Sequence, residues 1–125
     1  KPQLFATFGK CLLFGLPGNP LSAAVGLHEF VLPTVRMLLG CPAHSARPEW
    51  RLPIGAPVSV KESRRLFIPF FFNLNDGMTV ASPLPSWSSG DWLAAARADG
   101  VIIVPEGRQS LQAGELVPVR LWRQL

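Results

Sequence analysis

The residues that could act on a ligand are concentrated in one short segment, Leu16-Pro17-Gly18-Asn19-Pro20. Asn19 is a favoured helix N-cap, and Pro20 suits the first helical position because its φ is fixed and it has no N–H to satisfy. The first turn of a helix carries free backbone N–H groups and the positive end of the helix dipole, which together attract anions. The segment therefore indicates either an anion-binding turn or an ordinary connection between a strand and a helix. Geometry alone leaves both interpretations open.

Other catalytic patterns are not found in the sequence. His28 and His44 have no partners at metal-ligand spacing, and there is no HExxH or GxSxG motif. We interpret His28 as a residue on a helix face. The two cysteines, Cys11 and Cys41, lack CxxC spacing and so indicate neither a zinc site nor a disulfide framework. The residues themselves predict no catalytic side chain and no metal ligand, and Cys11 is predicted to be a small buried hydrophobe.

Two elements must position the Pro-Gly-Asn-Pro turn. Before it, the apolar run Cys11–Leu16 is typical of a strand buried on both faces of a parallel sheet. After it, apolar residues recur at helical spacing as far as Leu38, and Gly40 suits the end of the helix. Pro33 is expected to kink or divide this helix near Phe30–Leu32.

The remainder of the chain predicts a connector and then a small β unit. Residues 42–53 are polar and rich in proline, as domain boundaries often are. From residue 54 onward short strand patterns follow one another at regular spacing. Asn75-Asp76-Gly77 predicts a hairpin turn. Pro69 and Pro118 fall inside strand patterns, which predicts edge strands or bulges at these positions.

Charge and composition exclude several classes of protein. The chain has 125 residues, of which 48% are hydrophobic and 16% charged, so it is not intrinsically disordered. No apolar run approaches the roughly 20 residues of a membrane helix. The net charge is +4, but the basic residues are scattered and only Arg64 and Arg65 are adjacent. A nucleic-acid-binding module would cluster them. We therefore predict a cytoplasmic protein with no membrane or nucleic-acid partner, and keep a nucleic-acid-binding β-barrel as a remote alternative.

At the Pro-Gly-Asn-Pro turn the sequence resembles a known family. The run Phe14–Ala23 is similar to the "(F/G)LPGNPvSa" signature of the molybdopterin molybdotransferases, which include the bacterial MoeA proteins and the C-terminal part of gephyrin. The similarity continues at Phe30–Gly40, which resembles "FvxPalrkLxG". It extends through Ser89-Gly90 and residues 98–106, which resemble "GSGmLxSLaxANgLivlPe", to residues 113–119, which resemble "aGexVeV". Ala94 and Asp99 depart from that pattern, which has serine and asparagine there.

The resemblance implies an α+β fold class with two domains. Residues 1–41 would be the C-terminal strand and helix of an α/β molybdopterin-binding domain, residues 42–53 a linker, and residues 54–125 a small C-terminal β-barrel domain. Lys1-Pro2 aligns with the end of the family's P-G-K-P motif. We therefore expect the chain to be a C-terminal fragment of a longer enzyme.

The resemblance also implies a reaction and a set of contacts. Family members insert molybdate into adenylylated molybdopterin with release of AMP, using Mg²⁺, in molybdenum cofactor biosynthesis. A molybdopterin-adenylyltransferase would be a partner, and a homodimer is expected. The residues that correspond to substrate and molybdate contacts are Lys1, Pro17, Gly18, Asn19, Pro20 and Ser22. The acidic residues expected to hold Mg²⁺ lie upstream of the matched segment, so this chain is expected to be inactive alone. The alternative is a non-catalytic dimerisation or partner-binding module derived from the same family.

Overall fold

The architecture is mostly β-sheet, in two compact units. A computed structural model describes residues 3–61, 63–85 and 92–123. The first unit holds the described residues up to Pro48 together with residues 92–95, and the second holds the remainder from Glu49 onward. The helices and strands, in chain order, are β1 (Leu4–Phe8), β2 (Cys11–Gly15), α1 (Pro20–Gly26), a π-helical turn (Leu27–Val31), α2 (Leu32–Leu38), α3 (Ala43–Ala46), β3 (Trp50–Pro53), β4 (Val58–Ser59), β5 (Leu66–Asn75), β6 (Met78–Pro83), α4 (Trp92–Arg97), β7 (Gly100–Val104), β8 (Ser110–Leu111) and β9 (Leu116–Leu121).

The first unit begins with an antiparallel hairpin. β1 and β2 pair from Leu4 opposite Gly15 to Phe8 opposite Cys11. Among the described residues β2 has no second neighbouring strand, and most of its side chains are exposed. The expectation of a strand buried in a parallel sheet is therefore wrong, and the α/β domain expected to precede this point is not in this chain. Cys11 is exposed for the same reason, which corrects its predicted burial.

A helical segment follows the hairpin and changes its hydrogen-bond pattern midway. It starts as α1, widens into the π-helical turn and continues as α2. The start at Pro20 and the interruption near Phe30–Leu32 are both confirmed. None of the helices in the described ranges is long and apolar enough to cross a membrane.

The second unit is a curled five-stranded antiparallel sheet that forms half of a barrel. Its strand order is β3-β9-β7-β5-β6. The two edges approach each other beyond the end of β3, where Ile54 forms a parallel bridge with Ala81 and Gly55 N–H donates to the Ala81 carbonyl at 2.9 Å. β4 and β8 form a separate two-stranded ladder. The buried core of this unit includes Ile54, Ile68, Phe70, Ile102, Val104, Val117 and Val119.

The two strand prolines lie in inner strands, so the prediction of edge positions is wrong. Pro69 is in β5, between β7 and β6, and Pro118 is in β9, between β3 and β7. Each lies one residue outside one of its two ladders: the β5–β6 ladder begins at Phe70, and the β7–β9 ladder ends at Val119. A proline costs a strand only the bond that its N–H would donate. Because each of these prolines lies just outside one ladder, that ladder loses no hydrogen bond.

Asp99, the residue before β7, extends the pairing with β5 by further hydrogen bonds. Its carboxylate Oδ2 accepts from Phe72 N–H at 2.9 Å, and its own N–H donates to the Phe70 carbonyl at 2.9 Å. Its carbonyl accepts from Trp122 N–H at 2.8 Å. The side chain that departs from the family pattern thus bonds to β5, and the oxygen of an asparagine could accept the same bond. The backbone of Asp99 joins β5 to the residue that follows β9.

Residues 42–53, expected from their composition to be a linker, contain α3 and β3. β3 pairs with β9 from Trp50 opposite Val119 to Pro53 opposite Leu116. The assignment of residues 1–41 and 54–125 as separate domains stays a prediction.

Candidate functional site

The candidate site is the turn from β2 into α1. Gly18 at its tip is exposed, and its φ is outside the left-handed region. A Cβ built on Gly18 would have no neighbouring atom within 4 Å. The fold therefore does not need glycine here, and the backbone of the turn is open to a ligand.

Asn19 caps the helix, as its position predicts. Its backbone is extended, and its Oδ1 accepts from Ser22 N–H at 3.1 Å. Its carbonyl accepts from Ala23 N–H at 2.8 Å. Since Pro20 has no N–H, the cap leaves only the N–H of Leu21 unengaged in the first turn. An anion would meet this one donor and the helix dipole, fewer groups than the sequence indicated.

The π-helical turn arises where Pro33 interrupts the helical hydrogen bonds. Leu32 N–H donates to the Leu27 carbonyl, five residues back, rather than four. In an α-helix the N–H of residue 33 would bond to the Glu29 carbonyl, and proline lacks that donor. Arg47 supplies a replacement, since its Nη1 donates to the Glu29 carbonyl at 3.3 Å. The proline is therefore compensated by a side chain 14 positions further along the chain.

Glu29 and Arg47 also form an ion pair. Glu29 is 2% exposed, and its Oε2 lies 3.7 Å from Arg47 Nη1. The Arg47 side chain remains 43% exposed. Neither residue stands out in the sequence, because the two lie 18 positions apart and match no motif. The one available signal was Pro33, which frees the Glu29 carbonyl.

A cavity of about 580 Å³ lies between the hairpin and the helices of the first unit. Glu29 and Arg47 contribute its charged groups, while the rest of its lining is largely apolar. The apolar contribution comes from Leu4, Phe5, Phe14, Phe30, Pro33 and Met37. Leu16 reaches this cavity, whereas Pro17–Pro20 and Ser22 do not line it. The cavity suits an apolar group with a polar end.

His28 lies in the π-helical turn, half-buried. Burial lowers the pKa of its imidazole below the usual 6.5, and the positive charge of Arg36 lowers it further. His28 is therefore neutral at pH 7. Its place in the helical segment, and not its charge, is what the sequence predicted.

The residues predicted to contact substrate lie together as far as they are described. Pro17, Asn19 and Ser22 are half-buried, and Gly18 and Pro20 are exposed. Lys1 and Ser89-Gly90 lie outside the described residues. No group of three or more His, Cys, Asp or Glu side chains lies together in the ranges 3–61, 63–85 and 92–123.

Comparisons with known proteins point to one family. Residues 51–122 match the MoeA C-terminal region (domain IV). A molybdopterin molybdenumtransferase of Synechocystis sp. is 30% identical over 125 residues, covering 98% of this chain and 29% of the relative. One from Bacillus subtilis is 32% identical over 114 residues, covering 90% of this chain and 26% of the relative.

A solved structure leads to the same result. The molybdopterin biosynthesis MoeA protein of Pyrococcus horikosii superposes with a TM-score of 0.78 at 28% identity, covering 100% of this chain and 30% of that one. The chain thus spans less than a third of the length of these relatives. On the match over residues 51–122, the chain belongs to the MoeA C-terminal region (domain IV) family.

Proposed function

We propose that this chain is the C-terminal portion of a molybdopterin molybdenumtransferase. That enzyme would insert molybdate into adenylylated molybdopterin with release of AMP, in molybdenum cofactor biosynthesis. The observation that carries the proposal is the exposed turn at Gly18, which joins a capped helix in a chain whose relatives bear this enzyme's name.

In this proposal the turn is a contact surface for an anionic substrate. Gly18 allows close approach to the backbone, and the two prolines keep the shape of the turn fixed. The Leu21 N–H, the Ser22 hydroxyl and the helix dipole would face the anion. Lys1 would add a positive charge. Residues 1–41 would then be the last strand pair and helix of an α/β molybdopterin-binding domain.

The remaining parts of the active site would lie on segments other than these 125 residues. The proposal assigns the Mg²⁺-binding carboxylates to those segments, and a molybdopterin-adenylyltransferase would supply the substrate in the cytoplasm. We therefore expect no AMP release from the chain alone. Measurable release by these 125 residues would contradict this assignment.

A chimera tests the function directly. The matching segment of the Bacillus subtilis relative is replaced by this chain, and AMP release from adenylylated molybdopterin is measured with molybdate present. We expect an active chimera. Gly18→Ala in the chimera should lower kcat/KM about tenfold, or about 1.4 kcal/mol of transition-state stabilisation, because the added methyl group occupies the approach to the turn.

Ser45→Ala, an exposed change on α3, is the matched control and should leave kcat/KM unchanged. A folded chimera without activity would contradict the proposed function. An active chimera in which Gly18→Ala has no effect would contradict the role of the turn.

The second candidate, a dimerisation module, is favoured by exposed apolar side chains in the first unit. On the hairpin, Leu4, Phe5 and Phe8 are 64%, 61% and 77% exposed, and after α2 Leu39 is 82% exposed. Clusters of large exposed apolar groups mark interaction surfaces. We propose that a second copy of the chain covers the hairpin. Light scattering should give a dimer that Phe8→Asp converts to a monomer, and a monomeric parent chain would contradict this function.

A further inference from the structure

A second cavity, of about 520 Å³, lies in the second unit beside the β4–β8 ladder. The ladder pairs Ser59 with Ser110. Two further backbone bonds hold its walls: Val60 N–H donates to the Gln109 carbonyl at 2.8 Å, and Gly107 N–H donates to the Ser63 carbonyl at 2.8 Å. The lining residues are Ser59, Val60, Lys61, Ser63, Gly107, Arg108, Gln109 and Ser110.

The cavity presents mainly hydrogen-bond donors. The carbonyls of Ser63, Gln109 and Ser110 already accept bonds from within the protein. The side chains of the lining carry three serine hydroxyls, the Gln109 amide, an ammonium and a guanidinium, all of which can donate. No carboxylate belongs to the lining that the structure describes. An anion that accepts several hydrogen bonds complements this lining.

Arg108 is held in place for such a contact. Its Nε donates to the Ser110 carbonyl at 2.9 Å, and its Nη2 donates to Glu115 Oε1 at 2.6 Å. These bonds fix the plane of the guanidinium and leave the N–H groups of Nη1 for a ligand. Glu115 offsets much of the Arg108 charge, so among the lining residues that the structure describes Lys61 carries the net positive charge. No described carboxylate forms an ion pair with Lys61.

The size of the cavity indicates what the anion is attached to. Pockets for small molecules are typically about 300–1,000 Å³, and 520 Å³ is far larger than a single phosphate needs. We propose that this cavity binds a small molecule that carries a phosphate group, with Lys61 and Arg108 on the phosphate. This site lies wholly in the second unit and is separate from the turn at Gly18.

Titration of the 125-residue chain with ribose 5-phosphate tests the proposal. Binding is followed by the amide chemical shifts in NMR spectra at constant ionic strength. The amides of Gly107, Gln109 and Ser110 should shift along a saturable curve. Ribose, the neutral control, should shift none of them. Lys61→Gln should weaken binding at least fivefold, because it removes the charge-assisted bond that Glu115 does not offset.

Arg65→Gln is the matched control variant, since Arg65 is an exposed cation of the same segment that does not line the cavity. It should change the dissociation constant less than twofold. Shifts that do not saturate, shifts equally produced by ribose, or equal weakening by Lys61→Gln and Arg65→Gln would each overturn the proposal. The spectrum of each variant shows directly whether it is folded.

Discussion

The close approach of β7 and β9 at Gly100 gives the most demanding test of the fold. Gly100 pairs with Leu121, and a Cβ built on Gly100 would overlap the Arg120 carbonyl oxygen. It would also lie 3.0 Å from both the Arg120 carbonyl carbon and the Leu121 Cα. All three contacts are with backbone atoms, which cannot rotate away as a side chain can. Gly100→Ala must therefore separate the two strands.

The size of the effect follows from these contacts. Overpacking a buried site costs about 1–3 kcal/mol, and a lost backbone hydrogen bond adds about 1 kcal/mol. The lower chain entropy of alanine in the unfolded state returns about 0.4–1 kcal/mol. We expect Gly100→Ala to lower the free energy of unfolding by about 2–3 kcal/mol. With an m-value of about 1–3 kcal/mol/M, the urea midpoint should fall by roughly 1–2 M.

Gly18→Ala is the matched control, since the same change at Gly18 meets no atom within 4 Å. Its urea midpoint should stay constant or rise slightly, because alanine at a compatible position raises the free energy of unfolding by about 0.4–1 kcal/mol at most. Circular dichroism gives the midpoint, and amide hydrogen exchange at Ile102 reports on the second unit separately. Equal midpoints for the parent chain and Gly100→Ala would refute the argument from close strand approach.

Three further predictions concern single side chains. Asp99→Ala should lower the free energy of unfolding by about 1–3 kcal/mol because Phe72 N–H loses its acceptor, while Asp99→Asn should cost less than half of that; urea unfolding of both variants compares them. Arg47→Met should lower the free energy of unfolding by about 1–2 kcal/mol, because the buried Glu29 loses its ion pair and the Glu29 carbonyl loses a donor. A double-mutant cycle with Glu29→Gln checks the coupling, since Arg47→Met should have a smaller effect in that background. The pKa of His28 is lower in the folded chain than the usual 6.5, so as the pH falls the unfolded chain binds the proton first. The free energy of unfolding should therefore keep its full value above pH 6.5 and fall as the pH drops below it. His28→Gln should remove this part of the pH dependence, and an unchanged profile of stability against pH would contradict the prediction.

Features set by neighbouring residues were predictable from the sequence. The Asn75-Asp76-Gly77 turn joins β5 to β6, with φ of 49° at Asp76 and 78° at Gly77, as a two-residue hairpin turn requires. The Asn19 cap and the interruption near Pro33 follow equally from local backbone chemistry. Each depends on a few consecutive residues, and the sequence contains all of them.

Features set by distant partners were not predictable in the same way. The apolar run at Cys11–Leu16 predicts a strand correctly, but its burial depends on neighbouring strands, and only β1 lies beside it in the described structure. The bond from Phe72 to Asp99 spans 27 positions, and no periodic pattern connects the two. For the site, the sequence located the turn, while the 580 Å³ cavity required knowing where the hairpin lies against the helices.

The π-helical turn at Leu27–Val31 has a consequence for how sequences of this kind can diverge in length. A π turn accommodates one residue more than a regular α-helix, so a variant with one residue deleted there could continue as an unbroken α-helix. Each residue of an α-helix turns the chain by about 100°. The wider π turn absorbs this rotation, so a relative lacking the residue would present the same side chains of Leu32–Leu38 to the hairpin. In an unbroken α-helix a helical N–H would again reach the Glu29 carbonyl, so neither Pro33 nor the Arg47 bond that replaces its missing donor would be needed. Alignments across this segment should therefore place length changes and changes at Pro33 and Arg47 in the same sequences.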